Sequence, residues 1–238
     1  MRLCVILSWV AASMSLASPP PPPGDLHVVV SSEFVYMARV RPTRQDWWLR
    51  DQQRALAADG RLTVFREDLG LVWRIDTKAG TYTETVQPKP GAAPAAAAPP
   101  AVDMHTAGYR WEPEFDWTVK ETGRQSTVAG RPCREFAADG QADYAEATAT
   151  FWGCAPLAPD VPSPTTLVTN LLRNDSTMKM IRDTAARQGG LWVLQAEETT
   201  EPAIAPTMIL RVKVESLEEK PAPEGTFELA PTLKKAGR

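Results

Sequence analysis

Segment 61–86 alternates between apolar and polar residues, and two short polar stretches that contain glycine interrupt it. It reads RLTVFREDLGLVWRIDTKAGTYTETV. Trp73 and Ile75 share one face of a strand here, because side chains two residues apart in a strand point the same way. Gly70 and Gly80 can adopt the positive φ that tight turns need. The pattern predicts a meander of three antiparallel strands.

The same alternation predicts strands in other parts of the chain. Residues 27–40 are rich in β-branched and aromatic side chains, which indicates one long or bulged strand that Pro42 ends. Residues 45–58 fit the period of neither a strand nor a short helix well, so both assignments stay open. Farther along, Gly123 is predicted to turn the chain into a strand over residues 125–138. These segments are typical of successive antiparallel strands.

Two short helices are predicted in the last third of the chain. Ser163 and Pro164 suit the N-cap and the first turn of a helix that carries Leu171. A second helix is predicted from about Ser176 to the glycines at 189–190, where glycine suits a C-terminal cap. Extended segments follow at residues 192–196, 208–215 and 226–229. The order of strands, helices and strands predicts an α+β fold, mainly antiparallel β, with the helices on one face or end of the sheet.

Proline, alanine and glycine dominate residues 87–101. Such a segment has no large apolar side chains to offset the entropy cost of ordering, so a flexible loop is predicted, with a linker between two domains as the alternative. About 220 mature residues suffice for one well-packed core. We therefore predict a single antiparallel β domain over residues 25–231, with a basic tail at residues 232–238.

The N-terminus combines a lone cation, Arg2, with an apolar run and then small residues. This pattern is typical of a secretory signal peptide, here residues 1–17. A membrane anchor is the alternative, but the apolar run is shorter than the roughly 20 residues that span a bilayer. A proline-rich leader, residues 18–24, follows. We expect a periplasmic or secreted protein without a transmembrane anchor.

The net charge and the cysteines bear on the partners of the protein and on a disulfide. The formal net charge is −3, with both signs interspersed, so the basic stripe that marks a nucleic-acid partner is missing from the sequence. Cys4 lies in the predicted signal peptide, which leaves Cys133 and Cys154 on either side of the turn-rich segment 139–143. In an exported protein this pair predicts a disulfide across one hairpin, with two buried thiols as the alternative.

Motifs for catalysis, metals and cofactors are not found in the sequence. The two histidines, His27 and His105, have no second histidine or cysteine at the spacing of metal ligands. There is no GxSxG nucleophile motif and no glycine-rich phosphate loop. We therefore predict neither a catalytic site nor a metal site nor a cofactor, and a protein that is not an enzyme.

Eight tryptophans in 238 residues are the remaining unusual feature. Most are expected in the core, because large aromatic side chains dominate burial in β domains. Some strands carry bulky residues on both faces, so a second hypothesis is that certain tryptophans line an apolar ligand site. The candidate ligand-binding residues are Trp73, Trp117, Trp152, Leu171 and Trp192.

Three segments resemble a known group of proteins. They are REDLGLVWRIDTKAGTYTE, then VAGRPCREFAADG with ATFWGC, and finally PEGTFELAP. The chain resembles secreted bacterial domains of unknown function related to the periplasmic lipoprotein carriers of the Lol system. The resemblance implies a curved half-barrel sheet with short helices covering its concave side, where related carriers shelter acyl chains. The proline- and alanine-rich loop and the cysteine pair depart from those carriers.

These observations predict an exported, non-enzymatic protein that binds an apolar ligand, a lipid or an acyl chain, in a half-barrel. The alternative is a protein–protein interaction or envelope-assembly module without a ligand cavity. Such a module would use an exposed sheet edge or the proline-rich loop to bind an envelope protein.

Overall fold

A computed structural model describes residues 24–58, 60–87, 113–158, 161–172 and 174–236. The predicted signal peptide, nearly all of the proline-rich leader and all but the first residue of the predicted loop at 87–101 lie outside the described residues. The strands are β1 (Leu26–Tyr36), β2 (Arg39–Arg50), β3 (Gln53–Ala58), β4 (Arg61–Arg66), β5 (Leu71–Asp76), β6 (Thr81–Val86), β7 (Asp116–Val128), β8 (Arg131–Ala142), β9 (Ala145–Cys154), β10 (Trp192–Pro202), β11 (Met208–Glu219) and β12 (Lys234–Lys235). The helices are α1 (Thr165–Asn170) and α2 (Asp175–Arg187).

All the strands belong to one sheet, in the order β12-β6-β5-β4-β3-β2-β1-β11-β10-β9-β8-β7. Neighbouring strands are antiparallel except β12, which lies in the predicted basic tail and pairs parallel with β6. The sheet is curved and open, and it does not close into a barrel. The predicted α+β class, mainly antiparallel β, is confirmed.

The two helices pack on one side of the sheet, over β9, β10 and β11. We call this side the helix face. Glu198 lies on it, because its carboxylate accepts a hydrogen bond from Thr177 of α2. Residues directly opposite each other on antiparallel strands share a face. The helix face therefore also carries Leu210, Ala149 and Phe34, which follow Glu198 in register across the neighbouring strands. The buried core between this face and the helices includes Val30, Trp47, Phe136, Phe151, Val168, Ile181 and Val212.

A second, smaller core lies on the opposite face, over the meander. Trp73 and Val64 point there, because they continue the register of Trp48 and Ala55 rather than that of Trp47. The C-terminal segment, residues 220–236, covers them and buries Phe227 in the cluster. The two ends of the sheet are thus covered on opposite faces.

The buried carboxylate of Asp25 fastens the C-terminal segment to the sheet. It accepts two hydrogen bonds from the Arg50 guanidinium, at 2.6 and 2.7 Å, and one from the backbone N–H of Ala222, at 2.7 Å. The Arg50 guanidinium also lies over the Phe227 ring, 4.7 Å from its centroid. The hydrogen bonds from Arg50 hold the pKa of Asp25 below its ordinary value.

The predicted meander is confirmed. Strands β4, β5 and β6 pair in sequence, and Gly70 and Gly80 have φ values of 65° and 64° in the two turns. The predicted disulfide is confirmed too: Cys133 and Cys154 lie directly opposite each other on β8 and β9, with an S–S distance of 2.02 Å. The alternative of two buried thiols is therefore set aside.

Three local predictions were wrong. The first strand ends at Tyr36 and a hairpin follows, so that Pro42 lies inside β2. Proline is tolerated there because β3 pairs only with residues 46–50 of β2, which leaves this part of the strand at an edge. Gly123 does not turn the chain; it lies at an irregularity within β7, which continues to Val128. Residues 226–229 form turns rather than a strand.

Both helices were predicted, and the ambiguous segment 45–58 is resolved as strands. The Asn174 side chain caps α2 by accepting hydrogen bonds from the N–H groups of Ser176 and Thr177. The glycines at positions 189 and 190 have positive φ values and follow the end of α2, as predicted. Neither helix of the described chain combines the length and the apolar character needed to cross a membrane.

Candidate functional site

Packed side chains fill the centre of the helix face. Val168 and Ile181, on the undersides of α1 and α2, are fully buried, as is Phe151 on the sheet below them. The Phe136 and Phe151 rings stack at 5.0 Å, which closes the space between β8 and β9. A ligand would have to displace these side chains to reach the centre of the helix face.

Two surface depressions lie outside the space between the helices and the sheet. One, of about 310 Å³, is at the sheet edge beside Glu114, Asp116 and Asp143. The other, of about 220 Å³, lies around Arg211 and Lys213 on β11. Helix residues line neither of them, and both are shallow. Among the described residues no group of three or more His, Cys, Asp or Glu side chains is placed to hold a metal ion.

Glu198 is an unusual buried acid on the helix face. Only 5% of it is exposed, between Leu210 and Ala149 on the neighbouring strands. Its Oε1 accepts hydrogen bonds from the Thr177 hydroxyl at 2.9 Å and the Thr200 hydroxyl at 3.4 Å, whereas its buried Oε2 has no partner. Burial raises the pKa of Glu198 to about 7, and the two hydroxyls offset only part of that rise.

These contacts do not make Glu198 part of an acid–base pair. Its hydrogen-bond partners are two hydroxyls rather than a histidine or a second carboxylate. Thr177 joins it to the first turn of α2, so the carboxyl ties the helix to the sheet. We therefore assign Glu198 to the packing of α2 against the sheet.

The helix face continues beyond the helices to an open end, which we define by Phe34, Tyr36 and Met208. The Phe34 and Tyr36 rings stack at 6.3 Å along β1, and Met208 lies opposite Tyr36 on β11. All three side chains are partly exposed. The open end is thus an apolar surface that water reaches, next to the sealed core.

Three neighbouring hairpins extend this apolar surface past the open end. Their turns carry Met37 between β1 and β2, Ile204 between β10 and β11, and Tyr144 between β8 and β9. These side chains are 62%, 99% and 73% exposed, respectively. The strand order places the three turns side by side at one end of the sheet. Clustered exposed apolar groups of this kind are typical of binding surfaces.

The five side chains predicted to bind a ligand do not meet on one face. Trp117 is on the helix face, where its Nε1 donates to Ser176, and Leu171 follows α1 directly. Trp73 and Trp152 are on the opposite face, on β5 and β9. Trp192 is buried and lies opposite Cys154. Their role in ligand binding stays a prediction.

Sequence reasoning missed the open end, although a signal for it was present. The strand run HVVVSSEFVYMARV has Phe34 and Tyr36 at alternate positions after a polar SSE stretch. That spacing places the two rings on one face of a strand. The exposure of the two rings could not be predicted from the sequence, because it depends on where α1 and α2 end above the sheet.

No protein-family model matches the chain, and no curated protein is detectably similar to it. Solved structures that match the chain include PNGF-II, at 9% identity and a TM-score of 0.35, covering 90% of this chain. The chain spans only 31% of the length of that PNGF-II chain.

Two further structures match over most of both chains. One is a DUF1329 family protein from Desulfovibrio piger, at 8% identity and a TM-score of 0.34, covering 87% of this chain and 90% of that one. The other is a putative outer membrane lipoprotein-sorting protein domain from Vibrio parahaemolyticus, at 6% identity and a TM-score of 0.28, covering 86% and 89%. TM-scores this low support no statement about function.

Proposed function

We propose that this chain is an exported, non-enzymatic protein that binds the apolar chain of a lipid at the open end of the helix face. One observation carries the proposal: the partly exposed apolar surface of Phe34, Tyr36 and Met208 continues onto the exposed hairpin turns at Met37 and Ile204. The likeness to lipoprotein-sorting proteins in the sequence agrees with this function but does not carry it.

Physical chemistry favours an acyl chain at this surface. Each Å² of apolar surface removed from water contributes about 25 cal/mol, and stacked aromatic rings lose little conformational entropy when a chain lies on them. The core beneath the helices is filled, so the chain lies along the sheet surface rather than inside a closed cavity. Trp117, a predicted ligand residue, continues the register row of Tyr36 and Met208 on the far side of the helix face.

Binding of 1-lauroylglycerol, an uncharged single-chain lipid, tests the proposal. We expect the double substitution Tyr36→Ser/Met208→Ser to weaken its affinity about tenfold, which corresponds to about 1.4 kcal/mol. The matched control is Val35→Ser/Ile209→Ser, a directly opposed pair on the same two strands but on the other face. Lack of binding by the unaltered protein, or equal losses in both double variants, would rule the site out.

A protein-interaction module is the second candidate, and strand β7 favours it. This strand runs from Asp116 to Val128 at the end of the strand order, so the described chain offers no partner for its outer edge. Exposed edges can accept a strand from another protein. The module could also use the proline-rich loop at residues 87–101. In that case deletion of the loop should weaken binding of the partner protein, whereas lipid binding at the open end should survive.

A further inference from the structure

Two arginines flank the aromatic stack of the open end. In the register of the first hairpin, Arg39 lies directly opposite Tyr36, and Arg41 directly opposite Phe34. Side chains of such pairs share a face and have Cβ atoms about 5 Å apart. Both guanidinium groups therefore start from the helix face, beside the rings, and both arginines are exposed.

Neither of these arginines has a carboxylate within ion-pair distance among the described residues, whereas Arg44 on the same strand does. Arg44 lies on the opposite face, where its side chain pairs with Glu215 at 3.1 Å and with Asp46 at 3.8 Å. One strand thus carries a neutralised arginine on one face and two unneutralised arginines on the other. Of these three arginines of β2, only the two on the side with the apolar surface keep an uncompensated positive charge.

Space beside these arginines is left open by the sheet itself. Strand β3 pairs only with Asp46 to Arg50 of β2, so on the side away from β1 no described strand pairs with residues 39–45. Pro42 occupies the middle of this free edge, where its lack of an N–H discourages pairing with another strand. A small anionic group can approach both guanidinium groups from this side without displacing a neighbouring strand.

We propose that Arg39 and Arg41 bind the anionic head group of an amphiphile whose apolar chain lies on Phe34, Tyr36 and Met208. This inference rests on the proposed function and adds the class of head group to it. Guanidinium groups form paired, charge-assisted hydrogen bonds with phosphate and carboxylate oxygens. The charge complements the chain contact: the rings hold the apolar part, and the arginines fix the polar end at the free edge of β2.

A pair of probes with the same acyl chain tests the inference: 1-lauroyl lysophosphatidate, which is anionic, and 1-lauroylglycerol, which is uncharged. At low salt we expect the unaltered protein to bind the anionic probe about tenfold more tightly. The variant Arg39→Gln/Arg41→Gln should lose this preference and keep its affinity for 1-lauroylglycerol. The control Arg44→Gln should retain the preference, because its side chain is on the other face.

The outcomes separate the inference from the function on which it rests. If 1-lauroylglycerol binds and the anionic probe binds no more tightly, the head-group site is overturned while the lipid-binding function stands. If neither probe binds, both fall. A preference that survives in the double variant also overturns the site. Loss of the preference at about 0.5 M salt supports the site, because salt screens exposed charges.

Discussion

The sheet is buried in two different ways at its two ends. Strands β8 to β11, of 10 to 12 residues, bury one face under two helices. Strands β3 to β6, of six residues each, bury the opposite face under the C-terminal segment. A helix with an apolar stripe interlocks with a sheet along its whole length. An irregular segment contacts the sheet at a few points, so it depends on anchors such as Phe227 and the Asp25–Arg50 ion pair.

This difference implies unequal local stability. Where few apolar contacts hold a covering segment, the segment can open at a lower free energy than the whole domain. We therefore expect the C-terminal segment to detach from the meander before the helices leave the sheet. Substitutions at the two ends can test this comparison.

The largest effect is expected from removing an aromatic ring at each end. Phe151→Ala should lower the free energy of unfolding by about 4 kcal/mol, because a fully buried stacked ring is lost from the main core. Phe227→Ala removes a ring of the same size from the second core. We expect it to speed amide hydrogen exchange in β3 to β6 selectively, and Phe151→Ala to speed exchange throughout. If both variants speed amide hydrogen exchange throughout the sheet, the sheet unfolds as one unit.

A somewhat smaller effect is expected at the anchor of the C-terminal segment. Asp25→Asn should lower the free energy of unfolding by about 2–3 kcal/mol at pH 7, because Arg50 loses the carboxylate that it binds. The folded-state pKa of Asp25 is depressed, so its contribution is present above the ordinary value of 3.8 and is lost as the pH falls through the folded-state pKa.

Urea denaturation of both proteins at pH 7 and in acid measures this contribution. The difference in the free energy of unfolding between the unaltered protein and Asp25→Asn should become smaller in acid. Arg44→Gln, which breaks a more exposed ion pair, is the control and should cause little change. An equal difference in the free energy of unfolding at both pH values would show that the charge of Asp25 does not hold the C-terminal segment.

The smallest effect, of opposite sign, is expected under α2. Because the folded-state pKa of Glu198 is raised to about 7, the folded protein retains a proton that the unfolded chain releases above its ordinary value of 4.5. Stability should therefore fall as the pH rises from 4.5 to about 7 and then level off. Glu198→Gln is uncharged at every pH, so it should be more stable than the unaltered protein at pH 8, by at most about 3 kcal/mol.

Denaturation midpoints between pH 4 and pH 8 test this prediction, with Glu197→Gln as the control. Glu197 is the adjacent residue on the opposite face, where it pairs with Arg211. We expect the control to keep the pH dependence of the unaltered protein. If Glu198→Gln keeps it as well, the carboxyl is not the group that titrates.

The parts of the fold that were predictable are those that local rules govern. The alternation around Trp73, and the glycines at 70 and 80, were enough to predict the meander and its turns. The second helix was predicted from about Ser176 to the glycines at 189 and 190, which agrees with α2 to within a residue or two. Cys133 and Cys154 could be paired because one hairpin brings them together.

Two of the three errors have the same cause: the effect of a residue on a strand depends on which strands lie beside it. Pro42 ends a central strand but is tolerated at an edge, and only the pairing of β3 shows that it lies at one. Gly123 suits a turn or an irregularity in a strand, and the continued pairing of β7 with β8 decided between them. Glu198 lies beyond the extended segment predicted at 192–196, and only the register of β10 and the contact with α2 show that the helices bury its face.

The sequence by itself determined the class of the fold, the antiparallel strands, the two helices and the disulfide, because periodicity, caps and turn residues act over a few positions. Only the tertiary structure decided which faces are covered. It separated the predicted tryptophans, sealed the centre under the helices, and left Phe34, Tyr36, Arg39 and Arg41 together at an open edge. Exposure depends on packing between residues far apart in the chain, and no local pattern records it.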